Sequence, residues 1–337
     1  MATLRMRTYL LLVLLATVSA FAQPRPVVPE HYYRTFSHTN PVFVRIKPGD
    51  VVVTRTLDSG GQDERNEQLS PGSNPLTGPF YVEGAEPGDA LRVTLRKVRL
   101  NRNWGYSAYR LGLFSLSADY VETIYPNRYK PDVVRKGRDN VVPWDIDLAR
   151  GTVRLREPVS SRVPLQFTAR PMLGCIGVAA PGDFAPTSAP SGNYGGNLDY
   201  NEIGEGATVV LPVFHPGALL FLGDGHALMA DGEPTGTGVE TSMDVEFSVE
   251  LKKNAAVTGP RVETTDYLIS IGAQPEFASS LDRALQMATT DMVRWLVHDY
   301  ELEPWAAHQL IGAAGKYEVV TVAGSMALKV PRKYLAR

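Results

Sequence analysis

The chain has 337 residues and sets 34 basic against 36 acidic side chains, a net charge of −2, so its electrostatics give no case for a nucleic-acid or anionic-membrane partner. With 30 glycines, 25 prolines and frequent Val and Thr, it favours many short strands and turns over a helical bundle. Its single cysteine excludes an internal disulfide, so core burial must hold a chain long enough for two domains or for one large domain in two layers.

The first 22 residues read as an export signal. Arg5 and Arg7 precede an apolar run from Tyr9 to Ala22, and Ala20-Phe21-Ala22 has the small-x-small form that a signal peptidase accepts before Gln23. That run falls short of the roughly 20 residues a spanning helix needs. The mature protein is therefore expected outside the cytoplasm, periplasmic or extracellular, with no membrane attachment. Losing Arg5 and Arg7 and no acid takes its charge from −2 to −4.

After a proline-rich lead, Pro48-Gly49-Asp50 predicts a turn into a strand that starts at Val51. Pro87-Gly88-Asp89 repeats the device ahead of Leu91. Between them Asn74-Pro75 opens a turn into a short strand that ends at Glu83, a candidate site carboxylate. Arg92, Arg96, Lys97, Arg99 and Arg102 alternate with apolar positions and read as the wet face of an amphipathic strand. From Trp104 to Lys136 aromatics are many and periodicity is slight, which suggests a long surface excursion, a candidate lid. Strands return between Arg150 and Val178. Cys175 sits there in an apolar run with no adjacent base, the setting of an inert thiol more than of a nucleophile. We divide the chain into the signal at 1–22, a β-rich N-terminal domain or layer at 23–180 and a site-bearing part at 181–337.

The stretch from Ser191 to Glu240 concentrates the chemistry. Two loops rich in glycine and carboxylates flank an apolar segment from Val209 to Leu222. Pro212 and Pro216-Gly217 break that segment into two short buried strands. Gly195 and Gly196 clear space beside Asn197 and Asp199. Asp224 and His226, two apart in an extended chain, point to the same side and can converge on one ion. From Ser242 to Lys252 apolar and polar residues alternate, a half-buried strand. Leu281, Ala284, Leu285, Ala288, Met292, Trp295 and Leu296 recur at helical spacing behind Ser279 or Ser280 as N-cap. A second helix is predicted from near Pro304 to Gly312, and a last strand from Glu318 to Val322. The expected fold class is β-rich α+β, with many short strands in sandwich- or barrel-like layers and a few C-terminal helices.

GPFYVEGAEPGDAL at 78–91, RPMLGCIGVAAP at 170–181, GGNLD at 195–199 and LPVFHPGALLFLGDGHALMADGEPTGTGVE at 211–240 resemble the acetamidase/formamidase family. The resemblance runs across nearly the whole of 23–337 as one unit. It implies a β-rich fold, hydrolysis of short linear amides to carboxylate and ammonia, and often a bound divalent metal. The sequence departs from the family at Tyr194, where members often have His, and at Met229-Ala230, where they often have Gln-Gly. The partners expected are a small amide and further copies of the chain.

On that reading Asp199, Asp224 and His226 hold a divalent ion, zinc or alternatively calcium. Glu240, or failing that Glu83, acts as general base, and the Asn197 amide or the backbone at Gly195-Gly196 faces the oxyanion. Two rival readings are an exported, non-catalytic ligand-binding protein on the same scaffold and a thiol amidase using Cys175.

Overall fold

The structure, a computed structural model, describes residues 26–108, 115–120, 141–156, 162–255, 257–274 and 279–335. The export signal expected at 1–22 lies outside the described residues, as does most of the excursion expected from Trp104 to Lys136.

In chain order the strands are β1 (Val44–Ile46), β2 (Val51–Thr56), β3 (Leu76–Val82), β4 (Ala90–Leu100), β5 (Trp104–Ala108), β6 (Val141–Asp147), β7 (Thr152–Leu155), β8 (Gln166–Thr168) and β9 (Met172–Gly177). There follow β10 (Ser191–Gly192), β11 (Gly195–Asn197), β12 (Thr208–Pro212), β13 (Leu220–His226), β14 (Glu240–Thr241), β15 (Met243–Lys252), β16 (Arg261–Glu263), β17 (Tyr267–Gly272), β18 (Lys316–Thr321) and β19 (Ser325–Pro331). Helices α1 (Leu281–Tyr300) and α2 (Pro304–Ala314) stand between β17 and β18.

Both Pro-Gly-Asp triplets form the same turn. Gly49 and Gly88 sit at φ +94° and +95°, where a Cβ is penalised. In each, the aspartate carboxylate accepts the backbone N–H three residues back, Lys47 N to Asp50 Oδ2 at 2.8 Å and Glu86 N to Asp89 Oδ2 at 2.9 Å. The strands they launch, β2 and β4, flank β15, whose alternating burial matches its sequence pattern.

One sheet runs β18-β19-β17-β16-β12-β4-β15-β2, and the other runs β10-β11-β9-β13-β14-β5-β6-β7-β8, with β3 also on β13 and β1 on β3. The main apolar core, including Phe80, Leu95, Ile176, Leu222 and Phe247, draws on both. Phe80 of β3 meets Phe247 of β15 edge to face across it, ring centroids 5.1 Å apart. Each sheet takes strands from both sides of residue 180, so the division expected there follows neither layer. The two strands expected in 209–222 exist as β12 and β13, but they lie in different sheets, and the chain crosses between layers at Ala218 and Leu219 with φ +57° and +59°.

Ser280 caps α1, its Oγ accepting from Arg283 N at 3.2 Å. Met292, Trp295 and Leu296 of α1 pack on Leu268, Leu328 and Val330, covering the outer face of β17 and β19. The last strand expected at 318–322 is half of a hairpin, β18 with β19. Among the described residues no helix is long and apolar enough to cross a membrane.

Two expectations need correction. Trp104–Ala108 is a strand paired with β6 and not part of a surface excursion. Of the five basic residues, Arg92, Arg96, Lys97 and Arg99 pair with glutamates along β4, whereas Arg102 is buried. Its Nη2 lies 2.9 Å from Asp58 Oδ2, with both side chains almost wholly inaccessible. Polar periodicity along a strand does not reveal that a carboxylate 44 residues away waits inside. Arg102→Ala removes a buried guanidinium from Asp58, and a stability loss of about 3–5 kcal/mol is expected in urea unfolding against the parent.

Candidate active site

Sheet order β11-β9-β13-β14 brings four short segments side by side. Asn197 lies opposite Cys175, Cys175 opposite Gly223, and His226 opposite Glu240. Between these registers Gly174 leaves room for two carboxylates. A Cβ there would fall 2.5 Å from Asp199 Oδ1 and 2.6 Å from Asp224 Oδ2. Gly238 likewise yields to the His226 ring, with a Cβ 2.5 Å from Nδ1. Asp199 and Asp224 hold φ +45° and +55°, left-handed backbone that few non-glycine residues adopt and that concentrates at functional sites.

Asp224 and His226 do converge, although not by the simple alternation of an extended strand, because Asp224 sits in left-handed backbone. His226 Nε2 stands 3.2 Å from Glu240 Oε1, 3.6 Å from Asp224 Oδ1 and 3.9 Å from Asp199 Oδ1. Two donors on one tetrahedral zinc with bonds near 2.1 Å are about 3.4 Å apart, so this spacing fits a shared cation. The donors form two compact sets that share His226, namely Asp199–His226–Glu233 and Asp224–His226–Glu240, each with its atoms within 4.8 Å of one another. The expected trio is divided between them. Among the described residues Asp199 Oδ1, Asp224 Oδ1, Glu240 Oε2 and both His226 nitrogens are buried without a hydrogen-bond partner. Buried polar atoms are normally satisfied, so a cluster of orphaned oxygens and an imidazole is a donor set that fits a divalent cation.

Protons otherwise have to relieve the crowding. Burial, with Glu233 and Asp224 adding repulsion, pushes Asp199 well above the usual carboxylate range. Burial also raises Glu240 to about 8, against the opposing pull of His226. Burial disfavours charge on His226, but Glu240 and Asp224 outweigh it and raise the imidazole well above its ordinary value. Burial and the same carboxylates raise the Cys175 thiol. Its Sγ donates to Asn197 Oδ1 at 2.9 Å, so it is a neutral neighbour of the cluster, nearer to it than its apolar run suggested.

The Acetamidase/Formamidase family description matches this chain over residues 30–136 and 157–295. The chain belongs to the acetamidase/formamidase family. It is 27% identical over 243 residues to the acetamidase of Mycolicibacterium smegmatis, covering 60% of this chain and 59% of the relative. It is 26% identical over 257 residues to the formamidase of Methylophilus methylotrophus, covering 64% and 62%. The chain thus spans about three fifths of the length of the curated relatives it matches. The crystal structure of an acetamidase from Yersinia enterocolitica superposes with a TM-score of 0.74 at 28% identity, covering 94% of this chain and 95% of that one.

In this acetamidase/formamidase chain the cluster opens to a cavity of about 200 Å³ lined by Asn197, Asp199, Glu233, Gln274, Val322 and Ala323, among others. Glu240 is buried at His226 and, like His226 and Asp224, is not part of that lining. Glu233 is, and the sequence singled it out only as one of many acids. Glu83 is excluded from the site. It is exposed past the end of β3, and seven residues at about 3.3 Å each put roughly 23 Å between it and Leu76, the strand end that pairs beside Asp224.

Gly195 and Gly196 make room for the protein itself, since a Cβ at either would strike Ile176 O or Pro190 O. Asn197 is largely committed, with Nδ2 donating to Asp199 Oδ2 at 2.6 Å, which leaves at most one N–H for a ligand. Tyr194 turns into the core against Phe36 and donates its hydroxyl to Pro190 O at 3.2 Å. Met229 is buried as well. A residue the sequence read only as a turn, Asn74, reaches Asp224 Oδ2 at 3.1 Å.

In the cation-free protein Asp199, His226 and Glu240 hold protons more tightly folded than unfolded. Folding stability therefore falls as pH rises from the unfolded toward the folded pKa, a window from 4.5 to about 8 for Glu240. Melting temperature in chelator is expected to drop across that window and Glu240→Gln to flatten the slope. A melting temperature independent of pH there contradicts the assignment.

Proposed function

We propose that this protein hydrolyses short linear amides, such as formamide and acetamide, to the carboxylate and ammonia. The observation that carries the reading is the buried Asp199–Asp224–His226–Glu240 cluster, whose orphaned donors open through Asp199 and Glu233 onto a cavity of about 200 Å³. That volume is below the roughly 300–1,000 Å³ of sites for drug-sized ligands, which suits a small amide. Family membership and the named acetamidase and formamidase relatives support the same chemistry.

An amide carbonyl is a poor electrophile and its nitrogen a poor leaving group. His226, Asp224 and Glu240 would hold a divalent cation such as zinc, with Asp199 joining from the cavity side. Such an ion, when bound, polarises a carbonyl and lowers the pKa of its water to about 7. Glu233, in the cavity wall, takes the proton from the attacking water and delivers it to nitrogen as the C–N bond breaks, so that ammonia leaves. The remaining Asn197 N–H donates to the developing oxyanion, a contribution of about 3 kcal/mol in comparable sites. Val322 and Ala323, in the cavity wall, would be the residues to limit the length of the acyl group. The basic start and apolar run at 1–22 support an export signal, and with it a site of action outside the cytoplasm.

Ammonia release by purified protein decides the matter. Turnover of acetamide is expected, with Glu233→Gln losing about 100-fold or more in kcat while retaining its metal. His226→Ala and Asp224→Asn are expected to lose both metal and turnover. Variants of His226 and Asp224 that keep full metal content and parent rates refute the assignment.

A further inference from the structure

The loop ahead of β3 supplies a side chain that the chemistry above does not use. Ser73 and Asn74 lie at φ +72° and +50°, although a residue before proline is normally extended. The conformation is held from outside the loop. Ser188 Oγ donates to Ser73 O at 2.8 Å, and Asn74 N donates to Ser59 O at 3.1 Å.

This places Asn74 Nδ2 among acceptors, with Asp224 Oδ2 and Asn197 Oδ1 at 3.1 Å, Ser188 O at 3.4 Å and Cys175 Sγ at 3.9 Å. Acceptors on every side identify the atom as the donor end of the amide. Its two hydrogens go to the two nearest contacts. Asn197 carries the connection onward, its Nδ2 donating to Asp199 Oδ2 at 2.6 Å. One oxygen of each aspartate is thereby tied, Oδ2 in both cases. The other, Oδ1, is buried without a hydrogen bond and faces His226 Nε2, at 3.6 Å from Asp224 and 3.9 Å from Asp199.

We propose that Asn74 is a positioning residue: through Asp224 directly, and through Asn197 to Asp199, it selects which carboxylate oxygen is presented at the cation position beside His226. The side chain must donate twice at short reach and carry no charge. Asp would set an acceptor against acceptors, Ser has one hydrogen, and Lys would bring a cation that competes with the metal. Asn74 is not part of the cavity lining and so touches no substrate there.

The inference rests on the cation-assisted reading, and one experiment separates the two. Parent, Asn74→Ala and the similarly sized Asn74→Leu are stripped with chelator and titrated with zinc by calorimetry. They are then melted without cation and assayed on acetamide. Expected are a zinc affinity lower by about 10- to 100-fold and a fall in kcat, with KM within about threefold of the parent. Folded variants with parent zinc affinity and kcat overturn the role, even if they melt earlier, because the contact is then only structural. A raised KM at unchanged zinc affinity also overturns it, by making Asn74 a substrate contact. A parent that binds no zinc and releases no ammonia fails at the earlier step and removes the basis for both.

Discussion

Three carboxylates buried around one imidazole set the terms for the rest of the molecule. Coulomb repulsion among Asp199, Asp224 and Glu240 grows as water is withdrawn, and burial of each charge is costly in itself. The fold tolerates the arrangement because positive charge can be supplied in two ways, by protons or by a cation. Raised proton affinities on Asp199, His226 and Glu240 are the first way. The proposed metal is the second, and it alone leaves the donors free to work at neutral pH.

The architecture serves that cluster through backbone proximity. Neighbouring strands lie about 4.8 Å apart, so residues facing one another on β9, β13 and β14 are close before any side chain is chosen. Gly174 and Gly238 then remove the Cβ atoms that would displace the two aspartates or the imidazole. The opposite sheet contributes the wall. Its β18–β19 turn docks on the second acidic loop, with Val322 N donating to Gly232 O at 2.7 Å, and so holds Glu233 at the cavity edge. A pocket made this way depends on both layers, although its lining residues, from Ala189 to Ala323, all come from the C-terminal part of the chain.

Acid–base roles follow from where each carboxylate ends up, and sequence proximity is a poor guide to that. Glu240 and Glu233 are seven residues apart, yet one sits on β14 opposite His226 and the other lines the cavity. Glu83 belongs to a motif as distinctive as any in the chain and stands at the wrong end of its strand. Asn74, four residues before that motif, is the one that reaches the cluster.

Local physics made much of this readable without a structure. The Pro-Gly-Asp turns, the alternation of β15 and the periodicity and Ser280 cap of α1 all depend on neighbours within a few residues. The fold class followed from those signals, and the acids worth watching stood out because they crowd one stretch. Tertiary structure alone decided the order β11-β9-β13-β14, the burial of Arg102 on Asp58, the withdrawal of Glu240 from the cavity and the arrival of Asn74. Each of these joins side chains through space across sheet pairings or loop closures, and nothing in the short-range pattern of a sequence encodes which distant backbone will lie alongside.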